Sequence, residues 1–280
     1  MCIVGNFTLS PFWKSAVYDR FLKKDILEIG DLIFAKINGV FRCQHFFDFH
    51  ISIQNYDEVK KYINKGIKFQ FYYIDQNLYE NIKLWCDENN MNLKVIDSWS
   101  APKLKFLNNI TNYLNNECGI QTKKNYKNYQ KNKNNFVFLD SKSNNVCELW
   151  DDVLKIDECS WKYREKSDMK SLDREDLQYQ KFLFHNHEDS FLNVVYKDNI
   201  PLAYSLFFKN NLTKQWYAVK WGASDLGRKY CAGFFCLYNH LEKLEKMEGI
   251  VDIDFWGRRS STYDSLKNSE NDRYHILVSK

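Results

Sequence analysis

The sequence predicts an α/β (α+β) protein built from two related units, and three observations carry that prediction. Runs with strand periodicity and runs with amphipathic helical periodicity alternate along most of the 280 residues. Both halves end on the same succession of strands, helix, strand, helix and strand. A hydrophobic fraction of 44%, with 17% aromatic residues, supplies the side-chain area for packed cores and excludes disorder, collagen-like repeats and a small disulfide scaffold.

In the first half, DLIFAKI (31–37) and VFRCQHFFDF (40–49) are β-type runs joined by Asn38-Gly39, a strong hairpin signal. Asp57 can cap a short helix with Val59, Tyr62 and Ile63 on one face, closed by Gly66. IKFQFYY (67–73) reads as a strand, Leu78, Ile82, Trp85 and Cys86 mark an amphipathic helix, and NLKVID (92–97) is another strand. Around Pro102 the pattern is lost. The lysine-rich stretch that follows, with Lys123, Lys124, Lys127, Lys131 and Lys133, predicts a connecting helix that either sits in solvent or faces an anion.

The second half opens with the strand FVFLD (136–140) and helices over about 148–157 and 173–184. FLNVVYK (191–197) and LAYSLFFK (202–209) form a hairpin around Asp198-Asn199, and QWYAVKW (215–221) adds a third strand. Phe234, Leu237, Tyr238, Leu241 and Leu244 share one stripe of a long helix that Gly249 ends. VDIDFW (251–256), a short helix over 261–267 and the strand YHILV (274–278) close the chain. The expected division is residues 1–115, a basic connecting helix at 116–134, and residues 135–280.

Forty Lys and Arg against 36 Asp and Glu leave a net charge of +4, too mild to predict nucleic-acid binding. The eight cysteines form no CxxC pair, which predicts reduced thiols in a cytoplasmic protein. The absence of a long apolar run predicts no membrane insertion. His185 and His187 could form a metal pair on a strand, but no third ligand is evident, so no metal is expected.

The segment that carries chemistry is GASDLGRKYCAG (222–233), where a strand opens through a glycine-containing loop into a helix. Free backbone N–H groups and the positive helix end suit a pyrophosphate there, and Arg228 and Lys229 add charge. The order of elements around this loop resembles that of GNAT acyltransferases. Their phosphate loop reads Gln/Arg-x-x-Gly-x-Gly/Ala; this chain has Arg228-Lys229-Tyr230-Cys231-Ala232-Gly233, with cysteine in place of the middle glycine. The chain further resembles the CelD-like, cellulose-biosynthesis-type branch and, more distantly, FemAB-like transferases. That resemblance rests on KKNYKNYQKNK, Ser160-Trp161-Lys162, Asn199-Ile200-Pro201-Leu202-Ala203, Ala232-Gly233 and Asp254-Phe255-Trp256-Gly257-Arg258 followed by Tyr263. Ser265 stands where that branch carries a lysine-like position.

The resemblance implies tandem GNAT-like units, each a mixed, mostly antiparallel twisted sheet flanked by helices, with the donor loop in the C-terminal unit. It implies acyl transfer from acetyl-CoA or another acyl-CoA to a primary amine, by direct attack in a ternary complex. Val219, Lys220 and Trp221 would offer backbone groups to the oxyanion, and Arg228, Lys229, Tyr230, Cys231, Ala232 and Gly233 would hold the cofactor. Tyr263 is the expected acid; Asp225, Asp254 and Glu165 are the candidate bases, with His185 and His187 behind them. Trp161, Lys162 and Arg258 are the expected acceptor contacts, the acceptor being an amino sugar or nucleotide-linked amino sugar. ISIQNYDEV (51–59) has neither glycine nor a basic cluster, so the first unit is expected to bind no CoA and to shape the acceptor site. Two other readings stay open: a FemAB-like transferase using aminoacyl-tRNA, and a non-catalytic binding module.

Overall fold

Asn38 and Gly39 both take positive φ, 51° and 81°, and fold strand β2 (Leu32–Ile37) back onto β3 (Val40–Cys43). In the computed structural model this hairpin belongs to the first of two compact units, Met1–Ala101 with Asn210–Thr213 and Glu270–Lys280; the second is Pro102–Lys209 with Lys214–Ser269. The structure describes residues 11–45, 49, 51–107, 109–166, 168, 177, 181, 184–185, 190–210, 214–249, 251–257 and 261–280.

In the first unit the strand order is β1-β2-β3-β4-β11-β5, with β1 Ile26–Ile29, β4 Phe69–Asp75, β5 Asn92–Leu107 and β11 Ser269–Ser279. β3 and β4 are parallel; β4 and β11 are antiparallel. Helix α1 spans Pro11–Arg20; α2 (Ile53–Ile63) is capped by Ser52 and α3 (Gln76–Glu88) by Asp75, each side chain accepting a first-turn N–H. Val59, Ile63, Leu78, Ile82 and Cys86 project from α2 and α3 into a core with Phe34, Phe69 and Phe71.

Two sequence expectations change here. YHILV was assigned to the C-terminal unit, yet β11 pairs with β4, placing Ile276 opposite Phe71 and Val278 opposite Phe69 in the first unit's core. Periodicity identifies a strand but not the sheet it joins. The strand expected at 92–97 also runs on through Pro102 to Leu107.

In the second unit the order is β5-β10-β9-β8-β7-β6, with β6 Val137–Asp140, β7 Ser190–Lys197, β8 Ile200–Asn210, β9 Gln215–Ala223 and β10 Val251–Asp254. β6, β7 and β8 are antiparallel neighbours, β10 is antiparallel to β5, and β9 and β10 are parallel. The helices are α4 (Ile110–Asn112), α5 (Ile120–Asn132), α6 (Val146–Glu158), α7 (Trp161–Arg164), α8 (Asp225–Lys229), α9 (Ala232–Glu248) and α10 (Ser261–Leu266). Most of the helix expected over 173–184 lies outside the described residues. The stripe Leu237, Tyr238, Leu241 and Leu244 is buried, as its spacing predicts, and Gly249 ends α9 with φ 73°.

The basic segment at 116–134 is not a solvated connector on all sides. Tyr126 and Tyr129 of α5 are fully buried against Tyr238 and Phe235 of α9, and both hydroxyls donate to Glu242, at 2.8 and 3.0 Å.

Burial also sets a pH response. His240 on α9 is fully buried, with Nδ1 2.7 Å from Ser205 Oγ and its ring stacked on Phe207, and burial pushes its pKa well below the ordinary value. In the first unit His275, stacked on Tyr72, is pushed down to about 4 by burial and by Arg42. A histidine held neutral in the fold binds its proton in the unfolded chain first, so stability falls as pH drops below about 6.5. For His240 the slope is about 1.4 kcal/mol per pH unit. Thermal denaturation between pH 7 and pH 5 checks this; His240→Gln should flatten the profile.

Candidate functional site

β9 and β10 pair only at Trp216 with Ile253 and Tyr217 with Asp254, after which β10 stops and β9 continues to Ala223. The cause is local. Asp254 is fully buried and its Oδ1 accepts the Trp256 N–H at 2.6 Å, while Trp256 takes a positive φ of 56°. That turn peels the chain away from β9, and the Phe255 N–H goes to the Pro102 carbonyl on β5 instead. Ala218 to Ala223 therefore have no partner on β10.

An aromatic group borders this stretch. Tyr263 on α10 stacks on Phe255, ring centroids 4.4 Å apart at 20°, and lies 6.1 Å from Trp221. Burial raises the Tyr263 pKa, so its hydroxyl stays protonated at ordinary pH. The Trp221 indole rests on the start of α9: Nε1 donates to the Gly233 carbonyl at 3.2 Å, and a Cβ at position 233 would lie 3.0 Å from the ring.

The loop between β9 and α9 is tied down by Ser224. Its N–H and hydroxyl both donate to the Leu202 carbonyl, and its Oγ accepts the Gly227 N–H at 3.0 Å. A Cβ at Gly227 would come within 2.2 Å of the Leu202 oxygen, so only glycine fits. Cys231 takes a left-handed φ of 58° immediately before α9, and Ala232 and Gly233 are buried. Arg228, Lys229 and Tyr230 are exposed.

A second cluster gathers around Asp157 at the end of α6. Its Oδ1 accepts from Lys162 Nζ at 3.0 Å and from the Tyr204 hydroxyl at 2.9 Å; the Lys162 ammonium also reaches the Trp221 carbonyl at 3.2 Å. A Cβ on Gly222 would strike Tyr204 at 2.5 Å, so β9 lies directly against this cluster. Lys220 is half-buried beside it, and burial together with the Lys162 charge pushes its pKa down, against the pull of Asp157.

Several expected roles change. Asp254 forms the turn that splays β10 and is not a free base. Asp225 pairs with Arg164 at the surface, and that partner holds its pKa down. Lys162 spends its ammonium inside the fold, whereas Trp161 remains 42% exposed. Glu165 is exposed, and His185 lies 6.2 Å from the Trp150 ring. Arg258 and His187 lie outside the described residues. Val219, Lys220 and Trp221 lie on the stretch of β9 beyond its pairing with β10, and the Tyr263 ring lies 6.1 Å from that of Trp221. Asp157 and Tyr204 were missed, because nothing in their separate sequence contexts marks a contact made across 47 residues. Among the described residues no group of three or more His, Cys, Asp or Glu could hold a metal ion, and no helix is long and apolar enough to cross a membrane.

No family model and no curated protein matches the chain. Solved structures do. L-PGS from Bacillus licheniformis is 12% identical with a TM-score of 0.64, over 97% of this chain and 90% of that one. A tandem GNAT protein from the clavulanic acid biosynthesis pathway is 8% identical with a TM-score of 0.50, over 92% and 84%. The chain has the tandem GNAT fold. FemX shares it at 10% identity and a TM-score of 0.55, over 86% of this chain and 83% of FemX.

Proposed function

We propose that this chain is an acyltransferase working at the unpaired end of β9, and that its donor is an aminoacyl ester carried on RNA rather than a CoA thioester. The observation that carries the choice of donor is the Trp221 indole seated on Gly233. A pyrophosphate at this loop needs free approach to the backbone at the start of α9. Here the indole lies against Gly233, and a left-handed cysteine packed against the core stands at 231 in place of the loop's middle glycine. The fold shared with FemX and the FemAB-like resemblance point the same way.

The chemistry follows from the groups present. The acceptor amine attacks the ester carbonyl carbon, the bond to the ribose oxygen breaks, and that oxygen takes a proton from Tyr263. Backbone N–H groups of Val219 to Trp221 stabilise the developing oxyanion. The proton lost by the amine leaves to solvent at the open end of β9, where the Lys220 pKa is lowered by burial and by the Lys162 charge. The acceptor is an amine on a small polar molecule, an amino sugar being the first to try, with Trp161 as an exposed ring for its face.

Exposed Arg228 and Lys229 ahead of α9 favour a second reading, an acetyl-CoA-dependent N-acyltransferase. One pair of titrations separates the two: calorimetry with acetyl-CoA, and fluorescence anisotropy with bulk tRNA as salt rises from about 50 to about 200 mM. The expected result is no acetyl-CoA binding and tRNA binding that weakens steeply with salt. Micromolar acetyl-CoA binding by the wild type overturns the RNA-borne donor. Binding of acetyl-CoA by Trp221→Ala alone would identify the indole as the group that excludes it.

A further inference from the structure

Helix α5 carries Lys123, Lys124, Lys127 and Lys131 and no acidic residue. Its inner face is fixed: Thr122, Tyr126 and Tyr129 are buried, with both tyrosine hydroxyls on Glu242. Lys124, Lys127 and Lys131 are exposed, and their spacing of three and four residues aligns them in one row. The row covers about 10 Å of helix axis at 1.5 Å per residue. In a merely solvated helix, lysines at this spacing usually alternate with glutamates; here like charges face one another with nothing on the helix to offset them.

The start of α5 is docked on α10. The Gly119 N–H donates to the Ser265 carbonyl at 2.7 Å, Thr122 Oγ1 and Ser265 Oγ are 2.5 Å apart, and a Cβ at position 119 would come within 2.9 Å of the Ser265 oxygen. Ser265 is two residues from Tyr263. The charged row thus begins beside the helix that bears the proposed acid.

We propose that the row Lys124, Lys127 and Lys131 is the docking surface for the phosphate backbone of the donor RNA, leading its esterified end toward Tyr263. This rests on the RNA-borne donor proposed above. An anionic membrane is the less suitable partner, because a helix lying on a bilayer needs an apolar face. The apolar positions of α5 are turned onto α9, leaving only Ile120 exposed at its first residue.

The test uses the full chain as wild type, as Lys124→Glu/Lys127→Glu/Lys131→Glu, and as Lys24→Glu/Lys83→Glu/Lys94→Glu. The last carries the same charge change on exposed lysines of the first unit. The probes are bulk tRNA and phosphatidylglycerol vesicles, with circular dichroism verifying the fold of each variant. The α5 triple should weaken tRNA binding at least about tenfold and reduce the slope of log K against log salt by about 2 to 3, while the control triple changes the slope by less than about 1. Equal effects of the two triples, or wild-type binding by the α5 triple, overturn the docking surface and leave the RNA donor standing. No tRNA binding by the wild type overturns both. Vesicle binding by the wild type that the α5 triple loses, with no RNA binding, assigns the row to a membrane instead.

Discussion

Tyr263→Phe lowers the rate of acyl transfer by at least about 100-fold while donor binding stays within about threefold, the pattern for removing a group that acts in the transition state. Phenylalanine keeps the ring that stacks on Phe255 at 4.4 Å and removes only the hydroxyl. Burial raises its pKa, so the hydroxyl carries its proton across the neutral pH range. Single-turnover rates on preloaded donor, with the denaturation midpoint as a control for folding, separate this from a structural effect. An unchanged single-turnover rate removes Tyr263 from the mechanism.

Asp157→Ala destabilises the protein by about 3–5 kcal/mol, the cost of leaving a charge without its partner inside a fold. Asp157 is 2% exposed and holds both the Lys162 ammonium and the Tyr204 hydroxyl. Removing it takes the counter-charge from the Lys162 ammonium, which keeps only neutral acceptors, and the acceptor from the Tyr204 hydroxyl. A fall in the melting temperature on the order of 10 °C is expected. The double variant Asp157→Leu/Lys162→Met should recover much of the loss, since replacing a whole buried pair by apolar groups is often near neutral. A single variant that melts with the wild type would show that the cluster contributes nothing to stability.

Local signals were read well. Asn38-Gly39 and Asp198-Asn199 turn hairpins with positive φ, and Gly249 ends α9. The helix stripe at 237, 238, 241 and 244 is buried. Each of these follows from residues within one or two turns of one another. The segment 116–134 shows the limit: its lysines were plain, but the burial of Tyr126 and Tyr129 depends on a helix more than 100 residues away.

The sequence by itself determined most of the strands and helices, the hairpin turns and the presence of Tyr263 close behind β10, because backbone conformation and periodicity are local properties. Tertiary structure alone decided that β11 joins the first unit, that Asp254 pins a turn, that Asp225 pairs with Arg164, and that Trp221 covers Gly233. Those outcomes depend on which side chains meet across the fold, and burial and pairing then make the same residue types a surface ion pair, a structural pin or a packed ring.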